Sequence, residues 1–133
     1  MLVRRLADAP VEEWHRLRSH VLMDAGELGS RNMSVTWLEV PVGAEQTLRS
    51  HEDAEQVYVV VRGGGTMSVA GDTQQVSEGD LILVSPATDH SIANDGDSEL
   101  ACISVQSPPV AVSELLGGQM AAGLAGYDDD EGV

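Results

Sequence analysis

The chain is 133 residues long and carries 22 acidic against 7 basic side chains, a formal net charge of −15, with a single cysteine, Cys102. One domain fits that length, with roughly two-thirds of the unfolded chain's surface buried, and the lone cysteine excludes an intrachain disulfide and reads as a buried, inert thiol. The acidity repels nucleic acid and anionic membranes, so neither is expected as a partner; an acid excess whose basic residues are all arginine fits a halophilic host or, for the arginine alone, a GC-rich one.

No apolar run approaches the ~20 residues of a membrane helix. Residues 1–10 lack the hydrophobic core and cleavage pattern of a signal peptide, so a soluble, cytoplasmic protein is expected. Between positions 4 and 18, Leu6, Val11, Trp14 and Leu17 fall near helical spacing, with Pro10 at a plausible start and Glu12 and Glu13 in a first turn. This predicts a short N-terminal helical arm, within residues 1–30, packed on the main body of the domain. His15 and His20 lie in or just after it, as surface polar residues or, for His20, as a contributor to a site.

From Arg31 the period becomes two. Met33, Val35, Trp37 and Glu39 alternate with Ser34, Thr36, Leu38 and Val40, which predicts a strand. Further strands are predicted over residues 46–51, 56–62, 66–70, 73–76, 81–84, 90–93 and 99–105, with turns at Pro41 to Gly43, Gly63 to Gly65, Gly71-Asp72 and Asn94 to Asp97. Short strands at this density indicate an all-β domain over residues 31–109, a small antiparallel β-barrel or sandwich. After Pro108-Pro109 the pattern is lost. Residues 110–133 are expected to be an extension, with a turn or two of helix over 110–120 and a frayed acidic end.

Two stretches carry chemistry. One runs from Gly43 through Arg49-Ser50-His51, Glu55-Gln56 and Tyr58 to Gly63; the other from Gly79 through Ser85-Pro86-Ala87 to His90 and Asn94. Together they resemble the two motifs of the cupin family, with Gly43, His51, Gly63, Gly79, His90 and Asn94 at the family's spacing. The resemblance implies an antiparallel jelly-roll barrel whose cavity is lined by Arg49, His51, Gln56, Tyr58 and His90. It also implies a divalent metal held by three imidazoles and a carboxylate, a ligand set suited to Fe, Mn, Ni or Zn. Here Arg49 stands at the first histidine, Gln56 at the glutamate, and Ser85-Pro86-Ala87 in place of Pro-x-Gly.

These departures leave alternatives open. Arginine has no lone pair to donate, and its charge repels a cation. Gln56 offers a neutral amide oxygen, whereas a one-residue shift brings Glu55 into the site and turns Tyr58 away. Three readings are possible. In the first, His51, His90 and Gln56 or Glu55 hold a divalent metal and the cavity takes a small organic ligand, as in a metal-dependent oxygenase, isomerase or lyase. In the second, a metal-free binding or sensing module grips an anion with Arg49, with His51 and His90 as hydrogen-bond partners and Tyr58 as a cavity-wall residue that also contacts the ligand. In the third, the histidines are structural. If Gln56 and Tyr58 face inward, Val57, Val59 and Val61 face outward and need cover, which predicts a homodimer.

Overall fold

The computed structural model describes residues 1–50 and 52–109. They form ten strands, β1 (Val11–Trp14), β2 (Leu17–Met23), β3 (Ser34–Val40), β4 (Glu45–Arg49), β5 (Glu55–Arg62), β6 (Gly64–Val69), β7 (Asp72–Ser77), β8 (Leu81–Val84), β9 (Asp89–Ala93) and β10 (Leu100–Ser107). Six make an antiparallel sheet in the order β1-β2-β3-β10-β5-β8, and four make a second in the order β4-β9-β6-β7. The chain crosses repeatedly between the two sheets, giving the jelly-roll barrel. No helix among the described residues is long and apolar enough to cross a membrane. The expected extension over residues 110–133 lies outside the described residues.

The helical arm is not found. Residues 4–18 contain only a short 3-10 turn, Leu6–Asp8, followed by the β1–β2 hairpin. Trp14 and Leu17 are cross-strand partners, and His15 and Arg16 turn the chain with left-handed φ of 50° and 73°. That two-residue turn places Trp14 and Leu17 on one face three positions apart, which imitates helical spacing. Along β2, Leu17, Ser19 and Val21 are buried while Arg18 is exposed, a period of two that the polar Ser19 hides in the sequence. The hairpin also extends the larger sheet through β3 rather than lying over the barrel. Its tip is fastened by Arg16 Nη2 donating to the Val42 carbonyl, 3.1 Å.

Apart from irregularities at Ala101/Cys102 of β10 and Val21/Met23 of β2, the strands of the larger sheet alternate over the interior, so the register reads as rows across the inner wall. One end is polar: Ser34, Gln106, Gln56 and Val84 form one row, and Thr36, Ser104, Tyr58 and Ile82 the next. The other end is apolar, with Leu38, Cys102 and Val60, then Val40 and Leu100, packed against Met67, Val76 and Ile92 of the smaller sheet. Gly63 ends β5 at φ +75°, and a Cβ there would overlap the Glu99 carbonyl oxygen, so only glycine lets β10 start beside it. Asn94 is a structural member of the second motif. Its Nδ2 donates to the carbonyls of Val40 and Ser98 at 2.9 and 2.8 Å, and its Oδ1 accepts from Gly96 N.

The outer face of the larger sheet is also apolar over four strands. Leu83, Val57, Val105 and Val35 form one row and Leu81, Val59, Ile103 and Trp37 the next. Leu81 and Leu83 on the edge strand are 63% and 53% exposed.

Candidate functional site

The site grows from His90, which is 2% exposed and faces inward from the middle of the smaller sheet, between Leu48 of β4 and Val69 of β6. Its Nδ1 lies 3.2 Å from the Thr88 carbonyl. A carbonyl only accepts, so Nδ1 carries the proton and Nε2 presents its lone pair to the interior. The Tyr58 hydroxyl, 3.0 Å away, therefore donates to Nε2. Its oxygen in turn accepts from Gln56 Nε2 at 3.0 Å, and the same amide nitrogen donates to Ser104 Oγ at 2.9 Å. The directions form one chain: Gln56 to Tyr58, Tyr58 to His90, His90 to Thr88. This chain fixes the Gln56 amide orientation and leaves its buried Oε1 without a partner.

All of these groups are neutral. Burial pushes the His90 imidazole down to about 4, against the opposing pull of the Thr88 carbonyl and Asp89. Burial, with Cys102 nearby, raises the Tyr58 phenol far above its ordinary value, outweighing the Gln56 hydrogen bond. The Cys102 thiol is pushed up to about 12 by burial and stays protonated. Fixed neutral dipoles rather than ions line this end of the barrel.

Backbone supports hold the arrangement. Ser50 Oγ donates to the Ser85 carbonyl at 2.6 Å and accepts from Thr88 N at 2.8 Å, while Ser50 N donates to the Thr88 carbonyl at 3.0 Å. One buried serine from the first motif thus fixes the loop of the second motif on which the His90 tautomer depends.

The structure brings Gln56, Tyr58 and His90 together. Glu55 lies on the exposed side of β5, and Gln56 on the buried side at 4% exposure. Arg49 is placed differently from the expectation that it lines the interior. On β4 the inward residue is Leu48, opposite His90; Arg49 points outward, where its Nη1 meets Asp89 Oδ1 at 2.9 Å. The expectation ran the alternation through position 51, but β4 ends at Arg49. His51 lies outside the described residues. His15 sits at the hairpin tip with its ring edge-on to Trp14, centroids 4.7 Å apart.

His20 faces outward and meets Glu39 Oε1 at 3.0 Å, while Trp37 Nε1 donates to Glu39 Oε2 at 3.3 Å and Arg18 lies 3.4 Å from Oε1. Burial raises the Glu39 carboxyl, but the His20 hydrogen bond and charge, Arg18 and the Trp37 N–H outweigh it and hold the group below its ordinary value. This outer cluster is separate from the interior.

Sequence reasoning missed Ser50, Ser104 and Gln106. The available signal was polar residues at even positions of β10, Ser104 and Gln106, alternating with Ile103 and Val105.

For the metal the family implies, two observations bear on fit. The His90 Nε2 lone pair faces inward because the other nitrogen is held by a backbone carbonyl, the tautomer control seen for ligating histidines. The Gln56 Oε1 is a buried acceptor awaiting a donor or a cation. Among the described residues no three His, Cys, Asp or Glu side chains gather to hold an ion. The residues therefore offer two neutral ligands for a weakly held ion, His90 only once the Tyr58 hydroxyl gives up Nε2, and the remaining ligands must come from elsewhere.

Comparison with known proteins bears on the family. Residues 36–106 match the family described as Cupin domain. An uncharacterised protein of Methanocaldococcus jannaschii is 34% identical over 70 residues, 53% of this chain and 56% of that protein, so the chain spans little more than half the length of this relative. An oxalate-binding protein of Thermotoga maritima is 25% identical over 71% of this chain and 74% of its own length. Among solved structures, a predicted oxalate decarboxylase from Thermotoga maritima superposes with a TM-score of 0.73 at 19% identity, covering 80% of this chain and 99% of that one. Ectoine synthase from P. lautus superposes with a TM-score of 0.74 at 18% identity, covering 89% and 86%. At these identities the two structures show a shared fold.

Proposed function

The chain belongs to the cupin family, and from that premise we propose that its barrel binds a small organic molecule together with a weakly held divalent transition ion, Fe, Mn, Ni or Zn, at the polar end of the interior. His90 Nε2 and Gln56 Oε1 are the ligands the described residues offer, and His51 is the further ligand its motif position suggests. The single observation that carries this reading is the orphaned Gln56 Oε1 on a buried amide that is linked through Tyr58 Oη to the inward nitrogen of His90. Arg49 points away, so its charge does not oppose a cation there. A bound divalent ion supplies a Lewis acid in a low-dielectric site. Tyr58, protonated, donates to His90 Nε2 in the free site and, when an ion takes that nitrogen, has its Oη proton to share with a bound molecule. The reaction class, oxygenase, isomerase or lyase, is not specified by these residues.

The test is metal content of protein purified without chelator or affinity nickel. We expect a substoichiometric transition metal that rises on supplementation and is lost in His90→Ala. Unchanged content in His90→Ala defeats the assignment. A second reading, a metal-free binding module, is favoured by one observation: the Tyr58 hydroxyl already occupies the His90 lone pair. Ligand binding that survives complete removal of metal selects it.

A homodimer is part of the same proposal. The outward rows ending in Leu81 and Leu83 are the surface a second copy would cover. Sedimentation that changes from dimer to monomer in Leu83→Glu supports it, and a wild-type monomer at all concentrations removes it.

A further inference from the structure

A second buried acceptor stands beside the first. Gln106 on β10 is the cross-strand partner of Gln56 on β5, with both side chains on the inner face and 6% and 4% exposed. Directly opposed residues of this kind hold their Cβ atoms about 5 Å apart. Gln106 Oε1, like Gln56 Oε1, is buried without any hydrogen-bond partner. An unmade hydrogen bond at a buried acceptor is costly, and natural interiors leave few of them. Two such oxygens on directly paired residues of adjacent strands form a pair of unsatisfied acceptors.

We propose that Gln56 and Gln106 form a subsite for the donor end of the bound organic molecule: an ammonium, a primary amide or a hydroxyl pair, and not a carboxylate or phosphate. The inference rests on the reading that the interior binds a small molecule and names the chemistry of one end of it. Two carbonyl-type oxygens side by side match a group that presents two N–H or O–H donors. The neighbours agree. The Gln56 amide nitrogen is spent on Tyr58 and Ser104, so it is not free to receive an anion. The arginines nearest in sequence and register, Arg49 and Arg62, point outward to Asp89 and Glu99. Among the described residues no cationic side chain faces this pair, so in the metal-free protein a buried carboxylate there would be unpaired.

The subsite also differs from the metal proposal in its residues. Gln56 serves both readings, whereas Gln106 serves the donor end alone, which lets the two be separated by substitution.

The experiment uses three probes of similar size, propionamide, propylammonium and propionate, titrated into the full-length protein with and without chelator treatment. Side-chain amide resonances of Gln56 and Gln106 report binding. We expect propionamide and propylammonium to shift both resonances and propionate to bind at least tenfold more weakly. Gln106→Leu, which removes the unpaired oxygen at similar volume, should weaken propionamide at least tenfold while leaving metal content unchanged and raising the Tm of the free protein. Gln106→Glu should retain propylammonium binding, which checks that a weakened Leu variant has lost an acceptor and not its fold.

Propionate binding as well as propionamide overturns the proposal. So does failure of every probe to bind, the result expected if only a trapped water satisfies the two oxygens. Loss of metal in Gln106→Leu overturns it too, since Gln106 would then be a metal ligand. Probe binding that persists in metal-free protein supports a subsite that stands independently of the metal.

Discussion

The two ends of the barrel's inner wall are built by the same strands and do opposite things. At one end Leu38, Val40, Val60, Leu100 and Cys102 meet Met67, Val76 and Ile92, and every side chain gains from contact. At the other, Gln56, Tyr58, Ser104, Gln106 and His90 are almost as deeply buried, yet two of their oxygens have no partner. The apolar end gains stability from burial, while the polar end gives some up. Stability given up inside a well-packed barrel is the ground on which binding is proposed at that end.

The largest way to break the contrast is at the apolar end. Leu100 is fully buried, and Leu100→Ala should cost ~3 kcal/mol by leaving a cavity, read as a lowered denaturation midpoint with the probe affinities of the folded protein unchanged. Acid acts on the polar end with similar force. The folded state holds His90 neutral down to about 4 whereas an unfolded chain protonates it near 6.5, so stability present above 6.5 is lost as pH falls through that window. The loss amounts to about 3 kcal/mol. His90→Asn should flatten the stability profile between those pH values, leaving a further acid limb from Glu39, whose lowered carboxyl loses its contribution only as pH falls through the carboxylate range.

Tyr58→Phe is milder and sharper. It removes the hydroxyl between Gln56 and His90, and should cost ~1–2 kcal/mol with the barrel intact. If the metal-binding reading holds, metal content should not fall in this variant, because Nε2 is then released to the ion. The smallest effect is expected at Arg49→Ala. Its ion pair with Asp89 is exposed on both sides, so stability should change by ~0.5 kcal/mol or less, with probe binding unaffected. A tenfold loss of propionamide or propylammonium affinity in that variant would return Arg49 to the site.

Much of the barrel could be read from the sequence because β-strand patterning is local. The valine-rich stretch around Tyr58, the Gly71 turn and the two motif stretches each carry their own signal. The N-terminal hairpin did not, because a two-residue turn built from His15 and Arg16 instead of glycine disguises itself, and because Ser19 puts a polar residue on the buried face of β2. Arg49 was misplaced for a related reason: alternation predicts a face only while the strand continues. Gln106 was missed because a polar residue near a strand end ordinarily faces water: alternation along β10 groups it with Ser104, but the register with Gln56 is what shows that this face is the inner one. The orphaned Gln56 oxygen is a property of three-dimensional direction, set by which nitrogen of His90 the Thr88 carbonyl engages.

That dependence on Thr88 has a use. Its amide is held by the Ser50 hydroxyl and its carbonyl by Ser50 N and His90 Nδ1, so its backbone cannot open without releasing both motifs at once. Hydrogen exchange at this single amide therefore measures the rate at which the pocket comes apart. Slowing at Thr88 on addition of a compound, with exchange at Val40 on the far side of the barrel unchanged, is an occupancy signal that needs neither a known reaction nor a labelled ligand.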